Sequence, residues 1–229
     1  MTSSIRERIT SIRASLPPSV RLIAVSKTFP VEDIRAAYAA GIRDFGENRI
    51  QEAASKQAEL QDLADITWHF IGRLQSNKAK KAIELFDWIH SVDNLKLAQR
   101  LDQLAQQLEV SPQVCLQVKI LPDPNKSGWT VPELLVDLDQ LNQCKNLQIQ
   151  GLMTILPLGL SSAEAQAGFR ATKQLAAEIG EKSWSNLQMQ ELSMGMSADY
   201  PLAVEEGATM VRLGRILFGE RNTQNSESV

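Results

Sequence analysis

Over nearly its whole length the chain alternates between short apolar segments rich in β-branched residues and longer segments with helical spacing of apolar residues. The eight predicted strands span residues 21–26, 42–45, 66–71, 87–91, 114–120, 147–155, 189–194 and 209–213. Predicted helices lie between them at 31–40, 49–63, 76–85, 94–108, 132–141, 163–179 and 198–206, and a further helix precedes the first strand. Such alternation is typical of βαβ units. It therefore predicts an α/β fold with eight parallel strands.

A closed (β/α)8 barrel explains this pattern better than a doubly wound open sheet. The open sheet usually has a glycine-rich turn after its first strand, whereas residues 27–30 read Lys-Thr-Phe-Pro. One barrel typically needs about 250 residues and accepts as few as about 200, so the 229 residues fit a single barrel. We expect one domain at 1–221, including the N-terminal helix, and a disordered polar tail at 222–229.

The charge balance and the cysteine and histidine content argue against several classes of function. The 24 Lys and Arg residues face 27 Asp and Glu residues, without the basic excess typical of nucleic-acid binding. No apolar run approaches the length of about 18 residues that a membrane-spanning helix needs. Cys115 and Cys144 have no metal-type or redox-type spacing, and two histidines are too few for a three-histidine zinc site. We therefore expect a cytoplasmic protein with no nucleic-acid, membrane or metal partner.

Lys27 ends the first predicted strand, at the position where α/β barrels carry their sites. In such barrels the functional residues lie at the carboxyl ends of the strands. An amine that is partly desolvated and close to other cations loses basicity, and its neutral form can attack an aldehyde. A lysine at a strand end can equally extend into solvent. From position alone, both interpretations of Lys27 stay open.

Small residues at the ends of the last two predicted strands indicate a phosphate site. α/β barrels often bind phosphate with the loops after the seventh and eighth strands, together with a helix N-terminus. Here Ser193 and Gly195 lie at the end of the seventh strand, and Gly214 follows the eighth. Because Gly214 has no side chain, its backbone can approach a phosphate closely. With Lys27 across the mouth, the pattern suggests a phosphorylated aldehyde as the ligand.

Motifs spread in order from the first strand to the last resemble those of a known family. They read Ala-Val-Ser-Lys-Thr at 24–28, Phe-Gly-Glu-Asn at 45–48, His-Phe-Ile-Gly at 69–72, Leu-Gln-Ser-Asn-Lys at 74–78, Gly-Leu-Met-Thr at 151–154, Leu-Ser-Met-Gly-Met-Ser at 192–197, Val-Arg-Leu-Gly at 211–214 and Phe-Gly at 218–219. The chain resembles the pyridoxal phosphate homeostasis proteins over about its first 220 residues. The resemblance implies a modified (β/α)8 TIM barrel like the N-terminal domain of alanine racemase (fold type III), with pyridoxal 5′-phosphate (PLP) as the cofactor.

The resemblance also implies a role for each candidate site residue. Lys27 matches the lysine that forms the internal aldimine, and Arg212 matches the arginine near the pyridine nitrogen. The phosphate contacts and the cofactor lining are expected at Ser193, Gly195, Gly214, Arg215, Asn48 and Met153. Lys119 stands where relatives more often carry asparagine, so a second amine could approach the cofactor. Arg215 replaces a smaller residue, so only its backbone role transfers.

For function, the resemblance implies a protein that holds PLP reversibly and takes part in vitamin B6 homeostasis and in amino- and keto-acid balance. We expect a non-enzymatic monomer, with apo PLP enzymes as recipients of the cofactor. In the racemases a second domain supplies the opposing catalytic base, and a chain of 229 residues leaves no room for one beside the barrel. Two alternatives stay open: a PLP-dependent amino-acid racemase-like enzyme, and a cofactor-free aldolase that forms a Schiff base through Lys27.

Overall fold

The computed structural model describes residues 3–220, and its first element is helix α1 (Ile5–Ser15). Ser4 and Glu7 begin this helix as a reciprocal capping pair. The Ser4 Oγ accepts the Glu7 amide at 3.2 Å, and the Glu7 carboxylate accepts the Ser4 amide at 2.8 Å. Two of its apolar residues, Ile9 and Ile12, are buried, so the helix packs one face against the rest of the fold. The predicted N-terminal helix is confirmed, and the predicted tail at 222–229 lies outside the described residues.

Eight parallel strands close into a barrel. The strands are β1 (Arg21–Val25), β2 (Asp44–Glu47), β3 (Thr67–Phe70), β4 (Trp88–Val92), β5 (Gln113–Lys119), β7 (Gln148–Met153), β8 (Leu187–Ser193) and β9 (Met210–Leu213), with a two-residue strand β6 (Trp129–Thr130) beside β5. Each barrel strand pairs with the next in this order, β4 pairs with β5, and β9 returns to β1. The (β/α)8 prediction is confirmed, because an open sheet would leave two edge strands unpaired.

Helices follow the strands and cover the outside of the barrel. They are α2 (Val31–Ala39), α3 (Ile50–Glu59), α4 (Ala79–Leu85) after a single 3₁₀ turn (Ser76–Lys78), α5 (Leu95–Leu108), α6 (Val131–Leu141), α7 (Ser162–Gly180), α8 (Tyr200–Glu205) and α9 (Arg215–Phe218). The sequence did not predict α9, because four residues are too few to show helical periodicity. Among residues 3–220, none of the helices combines the length and the apolar character that a membrane crossing requires.

The core has a large outer layer and a small inner one. The outer layer packs the helices against the strands and contains most of the buried Leu, Ile, Val, Phe and Ala residues. The inner cluster lies apart from it and consists of Ile23, Trp88, Cys115, Met153 and Met210. Side chains fill a barrel of eight strands, but here this apolar cluster is small. Polar side chains occupy much of the remaining interior, and they connect to the site described below.

Gly151 allows β7 and β8 to approach each other closely. A Cβ atom at this position would lie 1.8 Å from the backbone oxygen of Glu191 on β8, a distance that no side chain tolerates. The strand pairing also shifts register between Ile149 and Gly151. Beyond the shift, Met153 lies opposite Ser193, so two predicted site residues are level on adjacent strands.

Candidate functional site

The predicted site residues come together at one mouth of the barrel. The strands β7, β8, β9, β1 and β2 are consecutive around the ring. Their carboxyl ends and the residues that follow carry Met153, Ser193, Gly195, Arg212, Gly214, Arg215, Lys27 and Asn48. Lys119 ends β5, the neighbour of β7, and is half-buried. The sequence therefore predicted a set of positions that the fold makes contiguous.

The chain turns sharply just after Lys27, which is half-buried. Thr28 has a φ of 68°, in the left-handed region that β-branched residues rarely adopt. Its amide donates to Glu52 Oε1 at 2.5 Å, and the Phe29 amide donates to the Ser26 carbonyl at 3.0 Å. These bonds hold the turn, so the position of the Lys27 backbone is fixed by its neighbours.

A buried ion pair lies directly behind this turn. The Lys56 ammonium donates to Glu47 Oε1 at 2.8 Å, to Glu52 Oε1 at 2.6 Å and to the Ser26 carbonyl at 2.9 Å. The Ser26 hydroxyl donates to the same Glu47 oxygen at 2.7 Å. Glu47 is fully buried, and its other oxygen, Oε2, has no hydrogen-bond partner in the described chain. Burial raises the pKa of Glu47, although the nearby Lys56 acts to lower it.

Arg212 is a buried cation with unused hydrogen-bond donors. Its side chain donates to Ser193 Oγ at 2.5 Å and to the Thr154 carbonyl at 2.9 Å, and the residue is only 4% exposed. Burial lowers the pKa of Arg212 to about 10, so the guanidinium still carries its charge at neutral pH. Its other three N–H groups have no acceptor among residues 3–220. A buried charge with free donors suits an electronegative ligand atom.

A chain of hydrogen bonds runs from Arg212 through the barrel interior to the opposite mouth. Ser193 Oγ lies 2.7 Å from His90 Nδ1, and His90 Nε2 lies 2.9 Å from His69 Nδ1. His69 Nε2 then lies 3.0 Å from Asp44 Oδ1. Both histidines and Ser193 are completely buried, whereas Asp44 is partly exposed. We call these four side chains together with Arg212 the interior relay.

The two ends of the interior relay fix the direction of every hydrogen bond within it. The Asp44 carboxylate can only accept, so His69 carries its proton on Nε2 and accepts at Nδ1. His90 must then donate from Nε2 and accept at Nδ1, where the Ser193 hydroxyl donates. Ser193 in turn accepts from Arg212, which can only donate. Every hydrogen bond of the relay is thus made with both histidines neutral, and the bond to Ser193 orients Arg212.

The interior relay was missed by the sequence analysis, which concluded from the two histidines, His69 and His90, only that they are too few for a three-histidine zinc site. Burial lowers the pKa of His69, and it lowers the pKa of His90 well below its usual value, with the nearby His69 and Arg212 acting in the same direction. A signal was present in the sequence. His69 and His90 are polar residues inside largely apolar strands, and Asp44 begins β2 on the face that also carries the partner position of His69.

We expect the stability of the protein to fall as the pH drops below about 6.5, the ordinary histidine pKa. The unfolded chain takes up protons there, whereas burial favours the neutral form of both relay histidines in the folded chain. His90, whose pKa is lowered further than that of His69, then lowers the free energy of unfolding by up to about 1.4 kcal/mol per pH unit, and His69 acts in the same direction. Urea unfolding of the wild type and of His90→Gln between pH 8 and pH 5 measures this slope. The variant should lose the larger part of the histidine contribution, because the pKa of His90 is lowered further than that of His69, and an unchanged slope would contradict the assignment.

At the phosphate end of the mouth, the hydroxyl of Ser193 already has two partners. It donates to His90 and accepts from Arg212, so it supports the arginine. The half-buried Ser197, four residues later, makes no side-chain hydrogen bond within the described chain. Gly214 precedes α9, and the first amides of this helix, at Arg215 and Ile216, have no partner inside it. The Arg215 side chain is exposed, in agreement with a backbone role alone.

The remaining predicted residues at the barrel mouth are Met153, Asn48 and Gly195. Met153 is fully buried in the inner apolar cluster. Asn48 is half-buried after β2, and Gly195, with a φ of 91°, accepts the Arg212 amide at 3.0 Å. In residues 3–220 no group of three His, Cys, Asp or Glu side chains is arranged to hold a metal ion.

Comparison with characterised families places the whole described chain in one group. The alanine racemase N-terminal domain family matches residues 2–222. A pyridoxal phosphate homeostasis protein from Synechocystis is 60% identical over 92% of this chain and 95% of its own length. The corresponding protein from Pseudomonas aeruginosa is 43% identical over 96% of this chain and 97% of its own length.

Solved structures agree with these sequence comparisons. The PipY protein of Synechococcus elongatus without PLP has a TM-score of 0.91 at 60% identity, covering 94% of this chain and all of PipY. PipY with PLP bound has a TM-score of 0.90 at 58% identity over the same shares of both chains. An alanine racemase from Clostridium difficile has a TM-score of 0.78 at 16% identity, covering 96% of this chain and 60% of the racemase, and shares the fold.

Proposed function

This chain belongs to the family of pyridoxal phosphate homeostasis proteins, and on that premise we propose that it binds PLP at the barrel mouth and helps to control the free level of this cofactor. The observation that carries the proposal is Arg212, a buried cation with unused donors. It lies on β9, directly beside β1, the strand that leads to Lys27. PipY, at 58% identity, binds the same cofactor.

Lys27 is the residue that would hold the aldehyde end of PLP. When bound, PLP supplies an aldehyde that combines reversibly with a neutral amine. Lys27 is half-buried, and the turn after it is fixed by Glu52 and by the ion pair of Lys56 with Glu47. Lys27 is therefore the best placed amine of the five consecutive strands that carry the site.

The phosphate end would be held by backbone amides and one hydroxyl. The first amides of α9, after Gly214, have no partner inside the helix and suit an anion. The Ser197 hydroxyl has no side-chain partner in the described chain and replaces Ser193 in this role. Gly195 gives the backbone before Ser197 its left-handed conformation. Phosphate binding thus uses the loops after β8 and β9.

Arg212 would face the pyridine nitrogen of PLP, with Asn48 and Met153 lining the ring. A guanidinium that is charged at neutral pH would donate a hydrogen bond to that nitrogen and leave it unprotonated. An unprotonated ring withdraws electrons less strongly, so it stabilises a carbanion poorly. This supports a protein that keeps and releases PLP without turning over an amino acid.

The proposal also covers the domain bounds, the location and oligomeric state of the protein, and the recipients of its cofactor. We propose that residues 1–221 form the PLP-binding domain, that the protein is a cytoplasmic monomer, and that apo PLP enzymes receive its cofactor. Both cysteines are free and buried, which suits a reducing compartment. The large exposed hydrophobic side chains in the described chain are scattered singly, at Val110, Val136 and Leu158, and form no patch that needs a partner.

A cofactor-transfer experiment tests this function. PLP-loaded protein is mixed with an apo aminotransferase, and recovery of aminotransferase activity is followed over time. We expect recovery in proportion to the loaded protein, because the bond between aldehyde and amine is reversible. The matched control is loaded protein reduced with borohydride, which fixes the cofactor and should transfer none. If aminotransferase activity recovers no faster than with the reduced control, the proposal that the protein delivers PLP is overturned.

The same purified protein distinguishes PLP binding from the two alternative functions, the aldolase and the racemase-like enzyme. A protein that stays colourless with PLP, while cleaving a phosphorylated sugar through Lys27, would support the aldolase. Racemisation of amino acids at ordinary enzyme rates, of the order of 1 per second or more, would support the racemase-like enzyme.

A further inference from the structure

A cavity opens on the same face of the barrel, beside the proposed cofactor site. Its volume is about 780 Å³, within the range typical of small-molecule sites. The turn after β2 and the segment between β3 and α4 form its walls, and Asn48 is shared with the cofactor mouth. Four of the five residues of the motif at 74–78 line this cavity (all except Asn77), and the proposed cofactor site gives this motif no role.

The cavity is lined by cations without an acidic partner in the part of the chain that the structure describes. Arg49 lies on one wall, and Arg73 and Lys78 lie on the other. None of the three forms an ion pair with any residue of the described chain. The lining holds one carboxylate, Asp93, whose Oδ1 already accepts the Asn94 amide group at 2.6 Å. Three positive charges therefore face one negative charge.

The structure separates Lys78 from its neighbours in sequence. Lys78, Lys80 and Lys81 are close together in the sequence, where such a cluster is typical of a solvated helix face. In the structure Lys78 is half-buried against the cavity, whereas Lys80 is exposed on α4 outside the lining and Lys81 pairs with Glu84 at 3.3 Å. Of the three lysines, Lys78 therefore lines the cavity, whereas Lys80 and Lys81 are surface residues.

The walls of the cavity are held together by Gly72. A Cβ atom at this position would lie 2.2 Å from the Asn48 carbonyl oxygen, so only glycine lets the two walls touch. The Gly72 carbonyl also accepts the Ser91 hydroxyl. These contacts join the ends of β2, β3 and β4. The cavity is therefore preformed.

We propose that this cavity binds a small organic acid with two negative groups, one held by Arg49 and the other by Arg73 and Lys78. A single anionic group would leave at least one wall of the cavity uncompensated. Guanidinium groups bind carboxylate and phosphate in the same bidentate manner, so either acid satisfies the site. Asn48 lies on both the acid site and the cofactor mouth, which places the bound acid next to the cofactor.

Calorimetric titration of the full-length, cofactor-free protein tests the acid site. The probes are succinate for a dicarboxylic acid, pyrophosphate for a phosphate acid, and acetate as the singly charged reference. We expect succinate or pyrophosphate to bind at least tenfold more tightly than acetate, and more weakly as salt is added. The stronger of the two identifies the acid class.

Two substitutions locate the binding. Arg73→Gln should weaken the preferred probe at least tenfold, whereas the matched control Lys80→Gln should change its affinity less than twofold. Binding that Arg73→Gln leaves unchanged, or equal affinity for acetate, would overturn the proposal. Both Arg73 and Lys80 are exposed, so neither change should disturb folding. Lys27→Ala should keep the acid site intact, so failure of the proposed cofactor function would be recognised separately.

Discussion

Replacement of Lys27 by alanine is expected to abolish covalent attachment of PLP to the protein. After borohydride reduction, intact-mass measurement of the loaded wild type should show one cofactor per chain, and Lys27→Ala should show none. The reason is the position of the amine: Lys27 follows β1, beside the strand that carries Arg212. Without it, the aldehyde has no partner at that position.

Two further variants make this result specific. Lys80→Ala removes an exposed lysine from α4 and should retain full attachment. Lys119→Ala tests the second amine, at the end of β5, and should also retain attachment if Lys27 alone carries the bond. Attachment that survives in Lys27→Ala and disappears in the double variant with Lys119→Ala would transfer the role to Lys119.

Replacement of Lys56 by methionine is expected to destabilise the protein by about 3–5 kcal/mol, the usual cost of removing one partner from a buried ion pair. Glu47 is fully buried, and one of its oxygens already lacks a partner in the described chain. Loss of Lys56 would leave the other oxygen with the Ser26 hydroxyl alone. Urea unfolding at pH 7, extrapolated to water, measures the change.

A surface pair provides the control for Lys56→Met. Lys81→Met removes a lysine whose partner, Glu84, is also exposed, and stability should hardly change. A second variant, Glu47→Leu with Lys56→Met, removes both charges and should recover much of the lost stability. If Lys56→Met costs less than about 1 kcal/mol, water has replaced the ammonium and the pair is not the buried support described here.

The Lys56 variant also tests the connection between stability and the site. Lys56 donates to the carbonyl of Ser26, the residue immediately before Lys27. We expect slower loading with PLP in Lys56→Met under conditions where the variant remains folded. Normal loading would show that the turn after β1 is held sufficiently by the bond from Thr28 to Glu52.

The barrel and the position of Lys27 could be predicted because they depend on local patterns. Apolar spacing distinguishes strands from helices within windows of a few residues. The barrel then brings the ends of its strands together without further information. Where the local pattern was too short, the prediction was incomplete: β6 has two residues and α9 has four. The helix predicted at 49–63 spans only Ile50–Glu59, because Leu60 and Leu63 continue the helical spacing of apolar residues beyond the last helical turn.

By itself, the sequence determined the fold class, the order of the strands and the set of strand ends at which a ligand could be held. Only the tertiary structure decided what those side chains do. Ser193 and His90 are 103 residues apart and Lys56 and Glu47 lie on different elements, yet both pairs are in hydrogen-bond contact. The physical reason is that backbone patterns are set by near neighbours along the chain. The charge, protonation and orientation of a buried polar group are instead set by whichever distant groups closure of the barrel places against it.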